Sequence, residues 1–192
     1  KEEVKLIVGL GNPGRLYINS RHNIGKSCVM ALAKAYKITL KKDRDASSGR
    51  GRIKGTAVVL ALPMTYMNLS GVSVGTLVRK HRIDLSDLLV VCDDLDLDLG
   101  RIKIKGSGSS GGHRGLGSII DSLQSRDFCR LRLGIARPKA GKGDTSRYVL
   151  SPFARGERMR VRRMMGAACD CCSSWISDGI TKSMNIFNQR RN

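Results

Sequence analysis

The chain has 192 residues, enough for one well-buried core and too few for two comfortable ones, so it reads as a single domain over 1–192. Its 35 Lys and Arg against 16 Asp and Glu give a net charge of +19, an excess that strains the compact state and calls for an anionic partner. No apolar run approaches the roughly 20 residues needed to cross a bilayer, which turns that expectation from membranes toward RNA.

Val4 to Leu10 is a short apolar run ending in glycine and predicts a buried strand; it is too short for a signal-peptide core. The chain begins at Lys1 without Met, which leaves room for a targeting segment trimmed ahead of it. Beyond a glycine-rich turn, Cys28 to Tyr36 recurs at helical spacing. Residues 37–54 hold seven Lys and Arg and a Ser47-Ser48-Gly49 cluster, predicting a basic, mobile loop or hairpin. Thr56 to Leu62 is a second buried strand stopped by Pro63, and Asn68 to Ile83 follows with helical periodicity. Leu88 to Cys92 is a third strand and runs into Asp93-Asp94.

Arg101 to Lys105 alternates charge and isoleucine, the pattern of a strand with one wet face. Gly106 to Gly117 is rich in glycine and serine and opens a helix carrying Ile119, Ile120 and Leu123. Leu131 to Ala136 is the last strand, and Glu157 to Ile176 the closing helix. Strands alternating with helices predict an α/β fold: a three-layer sandwich with a mostly parallel mixed sheet and helices on both faces. The six cysteines, Cys28, Cys92, Cys129, Cys169, Cys171 and Cys172, lie largely in apolar stretches, as free buried thiols do, and imply a reducing, cytoplasmic setting.

Three places carry candidate chemistry. Gly9-Leu10-Gly11-Asn12-Pro13-Gly14 matches a dinucleotide fingerprint, but Lys41-Lys42 stand near where a ribose-binding acid is required. The glycines are better read as a sharp turn presenting Asn12 and the Tyr17–Asn23 segment at the carboxyl edge of the sheet. There His22 faces Asp93, which ends a strand on the same edge. A carboxylate beside an imidazole fixes its tautomer and stabilises its protonated form, making a general base for water. Capping or a salt bridge accounts equally well for each residue alone. The third place, Gly106 to Gly115 with Lys103, Lys105 and Arg114, offers helix-entrance amides and cations to a phosphate.

Two features are read as structural. Cys169 and Cys172 share a helix face without a second ligand pair, so they pack rather than bind metal. Asp93 to Asp98 lacks the glycine and closing glutamate of a calcium loop. No metal and no cofactor is expected.

Taken together, Gly9 to Gly14, Tyr17, Arg21-His22-Asn23, Tyr66-Met67-Asn68-Leu69-Ser70-Gly71, Asp93 to Asp96, Gly111-Gly112-His113 and Arg130 to Ile135 resemble, in order, the bacterial peptidyl-tRNA hydrolase family. The resemblance implies a monomer of α/β sandwich fold that cleaves the ester between a peptide and the 3′ ribose of tRNA. It implies His22 as the base, Asp93 as its orienter, and Asn12 and Asn68 as positioners of carbonyl and water. Tyr17, Tyr66, Met67, Gly111, Gly112 and His113 would bind the peptide in its groove, Lys103, Lys105 and Arg132 would grip acceptor-stem phosphates, and Arg114 is expected to contact phosphate or the peptide's carbonyl groups. The family usually has Asn after Gly-Gly-His, where this chain has Arg114, a fixed charge that cannot accept a hydrogen bond. A non-catalytic RNA-binding relative and a nucleotide-dependent enzyme stay open as other readings.

Overall fold

The structure, a computed structural model, describes residues 3–138 and 144–189. Seven strands form one mixed sheet: β1 (Val4–Gly9), β2 (Lys41–Lys42), β3 (Ala46–Ile53), β4 (Thr56–Pro63), β5 (Leu88–Asp94), β6 (Ile102–Lys105) and β7 (Cys129–Gly134), in the order β2-β3-β4-β1-β5-β7-β6. The helices are α1 (Ile24–Ala35), α2 (Ser70–His81), α3 (Arg114–Leu123), α4 (Thr145–Leu150) and α5 (Arg158–Phe187). The four central strands β4, β1, β5 and β7 run parallel, and the flanking pairs are antiparallel.

β1, β4 and β5 lie in the middle of the sheet with both faces covered, which is why they read as unbroken apolar runs rather than alternating ones. On one face Ile7, Leu60, Leu89 and Val91 pack against Val29 and Leu32 of α1 and Trp175 of α5. On the other, Leu6, Val8, Val59 and Val90 pack against Val74 and Leu77 of α2 and Ile119 of α3. The predicted sandwich is the observed one.

Differences from the sequence reading have local causes. Residues 46–53 form a full-length strand, because Lys54 and Gly55, with φ of 48° and 83°, make the tight turn that pairs β3 back onto β4. α2 starts later than expected, since Met67–Leu69 form a separate 3-10 turn, and stops at Arg82, whose φ is 52°. β7 begins two residues earlier, at Cys129, in register with Leu89. α5 continues past Ile176: Gly179, with φ of 80°, kinks it, and the helix runs on to Phe187. Beyond it, Asn188 closes the open edge of β6, its Oδ1 accepting the Ile104 amide and its Nδ2 donating to the Ile104 carbonyl, both at 2.8 Å. The six cysteines are free thiols, five of them buried.

Three parallel strands therefore end side by side, β4 at Pro63, β1 at Gly9 and β5 at Asp94. The loops leaving these ends gather the chemistry on one edge, as open α/β sheets do.

Candidate active site

β5 runs two residues further than its apolar stretch, so Asp93 and Asp94 both lie within the strand and project to opposite faces. Asp94 turns to Arg132 Nε at 3.0 Å, an ion pair whose N–H does not point at the oxygen, and accepts the Asp96 amide at 2.8 Å. Asp93, 3% exposed, turns to two histidines. His22 Nδ1 lies 2.7 Å and His113 Nε2 2.9 Å from the same carboxylate oxygen, Asp93 Oδ1.

The tautomers follow from the other partners. His113 is the N-cap of α3, and its Nδ1 accepts from the amides of Gly115 and Leu116 at 3.1 and 3.3 Å. Nδ1 therefore carries the lone pair, and Nε2 carries the proton donated to Asp93. His22 donates from Nδ1 to Asp93, which leaves its Nε2 as a lone pair without a partner among the described residues. Burial pushes the Asp93 carboxyl upward, but the two imidazole rings that donate to it, His113 foremost, outweigh it and hold the group below the usual carboxylate range.

His22, Asp93 and His113 are also metal-ligating types, with ligand atoms within 4.8 Å of one another. Yet the one lone pair of His113 is spent on two backbone amides, so the trio is built as a hydrogen-bonded relay rather than a metal cage.

The turn that carries His22 is fixed on both sides. Asn23, 2% exposed, accepts the Asn12 amide at 2.8 Å through Oδ1 and donates through Nδ2 to the Asn12 carbonyl at 3.0 Å. Arg21 donates to Glu157 from Nη1 at 3.1 Å and Nη2 at 2.6 Å, while its guanidinium lies over the rings of Tyr148 and Phe153. Asn12 Oδ1 accepts the Met67 amide at 2.8 Å, which orients the side-chain amide so that its Nδ2 hydrogens are left to donate.

These groups line a cavity of about 510 Å³. Asn12, His22, Met67, Asn68, Asp93 and His113 are among its lining residues; Tyr66, Gly111, Gly112, Arg114 and Arg132 also line it. Thr145, Ser146, Val149 and Leu150 of α4 form a further wall. A family model described as peptidyl-tRNA hydrolase matches residues 6–192. The chain belongs to the peptidyl-tRNA hydrolase family. It is 46% identical over 189 residues to the peptidyl-tRNA hydrolase of Desulforudis audaxviator, covering 98% of this chain and 95% of that one. It is also 46% identical over 185 residues to that of Herpetosiphon aurantiacus, covering 95% and 89%. The crystal structure of peptidyl-tRNA hydrolase from Acinetobacter baumannii matches at a TM-score of 0.91 and 38% identity, over 96% of this chain and 94% of that one.

Within this peptidyl-tRNA hydrolase fold, most of the residues singled out in the sequence converge on the cavity. Tyr17 does not line it: it is half-buried in a separate 3-10 turn, Arg15–Tyr17. Lys103 and Lys105 stand outside it on the edge strand β6, directly paired with Arg132 and Arg130 of β7. Arg114 lines the cavity, exposed and without a partner among the described residues.

The expected phosphate cradle at the entrance to α3 is changed by the structure. The Gly115 and Leu116 amides that would have held an anion are taken by His113. Arg130, 1% exposed, points inward and ties the glycine-rich loop through the carbonyls of Gly108, Ser109, Arg126 and Phe128. The glycine fingerprint likewise serves packing: a Cβ at Gly9 would meet the Gly25 carbonyl and Val29, and one at Gly11 would meet Lys26 and Asn23. Sequence reasoning missed α4, the locking role of Asn23 and the Arg21–Glu157 pair. Asp144, whose side chain accepts the Ser146 amide at 2.9 Å, was the available N-cap signal for α4.

Proposed function

We propose that the cavity hydrolyses the ester between a peptide and the 3′ ribose of tRNA, with His22 as general base. The observation that carries this reading is the His22–Asp93–His113 relay with one free lone pair, His22 Nε2, at a cavity lined by the amides of Asn12 and Asn68.

Water held near His22 Nε2 gives that nitrogen a proton as its oxygen bonds to the ester carbonyl carbon. Asp93 stabilises the imidazolium that forms, while His113, fixed by its cap on α3, keeps Asp93 in place. The Asn12 Nδ2 group and the exposed Asn68 amide supply donors to the oxyanion, and the Asn68 carbonyl accepts from the peptide N–H. The tetrahedral adduct breaks its bond to the ribose 3′ oxygen, which takes the proton from His22. Peptide carboxylate and tRNA leave. A site that pairs with the peptide amide has groups left unsatisfied by a simple aminoacyl ester, and this gives selectivity for peptidyl-tRNA.

Lys103, Lys105 and Arg132 are assigned to acceptor-stem phosphates, and Tyr66, Met67, Gly111, Gly112 and Arg114 to the peptide groove; Tyr17, outside the cavity, is given no contact. The enzyme is read as a single-domain, cytoplasmic monomer needing no metal or cofactor. No helix among the described residues is long and apolar enough to cross a membrane. The decisive experiment is His22→Ala assayed on peptidyl-tRNA. Turnover should vanish while tRNA binding persists; unchanged turnover would remove His22 as the base. Binding by the wild-type protein without any cleavage would instead identify an RNA-binding relative.

A further inference from the structure

The start of α5 carries a charge that the fold does not use. Arg155, Arg158, Arg160, Arg162 and Arg163 fall within nine residues, and all five are exposed. The one acid among them, Glu157, has both oxygens committed to Arg21. Arg160 exerts a weak pull on that carboxylate, but none of the five makes a hydrogen bond or close ion pair among the described residues.

This placement works against the helix. Cations in a first turn oppose the positive end of the helix dipole. Arg158 and Arg162 are four residues apart and repel each other across one turn. Such an arrangement works against the isolated protein and is relieved by an external polyanion.

The position of the cluster limits what that polyanion is. On one flank, Arg158 and Arg162 border a shallow cavity of about 360 Å³ with Asn19, Pro152, Phe153 and Val161. On the other flank Arg160 abuts the turn into β6: a Cβ added at Gly100 would lie 3.8 Å from its own Cβ. Lys103 and Lys105 follow on β6, so the basic edge of the sheet continues onto α5. A membrane surface fits poorly, because the apolar side of α5, with Met164, Ala168, Cys171 and Cys172, is already buried against the sheet. An extended chain of phosphates fits the spread of these charges along the helix start and the sheet edge.

We propose that the α5 arginines form a second RNA contact, gripping the phosphate backbone of the tRNA body beyond the acceptor end. This rests on the hydrolase reading of the cavity. Phosphate contacts of this kind set affinity and orientation and carry no sequence preference.

The test compares two substrates: an N-acetyl-aminoacyl full-length tRNA, and the same ester on a short oligonucleotide ending in CCA. A variant with Arg158→Gln, Arg160→Gln, Arg162→Gln and Arg163→Gln should raise KM for the full-length substrate about tenfold at moderate salt. It should also flatten the dependence of log KM on log salt, by about one unit for each phosphate that the variant no longer neutralises. KM for the short substrate and kcat for both should hold. The matching Arg→Lys variant should recover most of the loss, since a backbone phosphate accepts a point charge. Unchanged KM and salt slope on full-length tRNA would overturn the proposal and leave the hydrolase reading intact. An equal loss on both substrates would also overturn it, placing the effect at the acceptor end. Failure of the wild-type protein to cleave either ester would instead strike the hydrolase reading.

Discussion

His22 and His113 meet on a single oxygen: both rings donate to Asp93 Oδ1, at 2.7 and 2.9 Å, with their centroids 5.0 Å apart. Because one ring is also a helix cap and the other has a free nitrogen, two chemically equal side chains are forced into unequal roles. In the proposed mechanism one positions and the other reacts.

Asp93→Asn preserves shape and removes the charge that the reacting imidazolium needs. Turnover should fall by roughly 10³–10⁴-fold, as with other acid-to-amide changes behind a catalytic histidine. Stability should change with pH as well. The folded Asp93 carboxyl is held below its ordinary value of 3.8, so its stabilising contribution is complete above that value and is lost as pH falls below it. Denaturant titrations between about pH 3 and 6 should show wild-type stability dropping at the acid end and a flatter curve for the asparagine variant.

His113 joins two functions that can be separated. His113→Ala removes the cap of α3, which costs about 0.5–2 kcal/mol, and leaves Asp93 with one donor. His113→Asn supplies a good capping side chain that does not reach Asp93. Thermal unfolding should show most of the stability recovered in the asparagine variant, at about 2–4 °C per kcal/mol for a chain of this size. Activity should stay low in both. Full activity in His113→Asn would show that the cap alone matters.

The sequence made the central strands legible because burial on both faces demands continuous apolar runs, and β1, β4 and β5 have them. Their ends then put His22 and Asp93 on one edge before any contact was known. What stayed hidden depends on direction rather than type. Arg130 and Arg21 count toward the positive charge in the sequence, yet both turn inward, one onto four backbone carbonyls and the other onto Glu157. The 3-10 turns that carry His22 and Met67 are three residues long, too short to show a period. The His113 cap was equally hidden, since a glycine-rich approach to a helix looks the same whether an anion or a side chain fills its amides.

Asn23 touches Asn12 rather than the cavity, so its effect should be on positioning. In Asn23→Asp the donor to the Asn12 carbonyl becomes an acceptor, and two buried oxygens face each other. A loss of about 1–3 kcal/mol in stability is expected from the unmade bond. If Asn12 is thereby displaced from the oxyanion, kcat should fall more than KM rises. A variant with wild-type kcat and lowered Tm would confine Asn23 to folding.

Arg21 joins the His22 turn to the start of α5, and the chain between Ser151 and Glu157 is held from both ends by this contact. The Arg21 amide donates to the Ser151 carbonyl at 3.0 Å, and Ser20 bridges Pro152. The side chain of Arg21 is 7% exposed and that of Glu157 is 26%, so the pair is only partly shielded from water. Glu157→Gln should therefore cost about 2–3 kcal/mol, less than the roughly 3–5 of a fully buried pair. Arg21→Lys should cost a similar amount, because lysine restores the charge but neither the fork nor the stacking on Tyr148 and Phe153. Combining the two changes should cost clearly less than their sum, since each removes the same interaction. Additive losses in a double-mutant cycle would mean that Arg21 acts through its two rings and that the carboxylate is incidental.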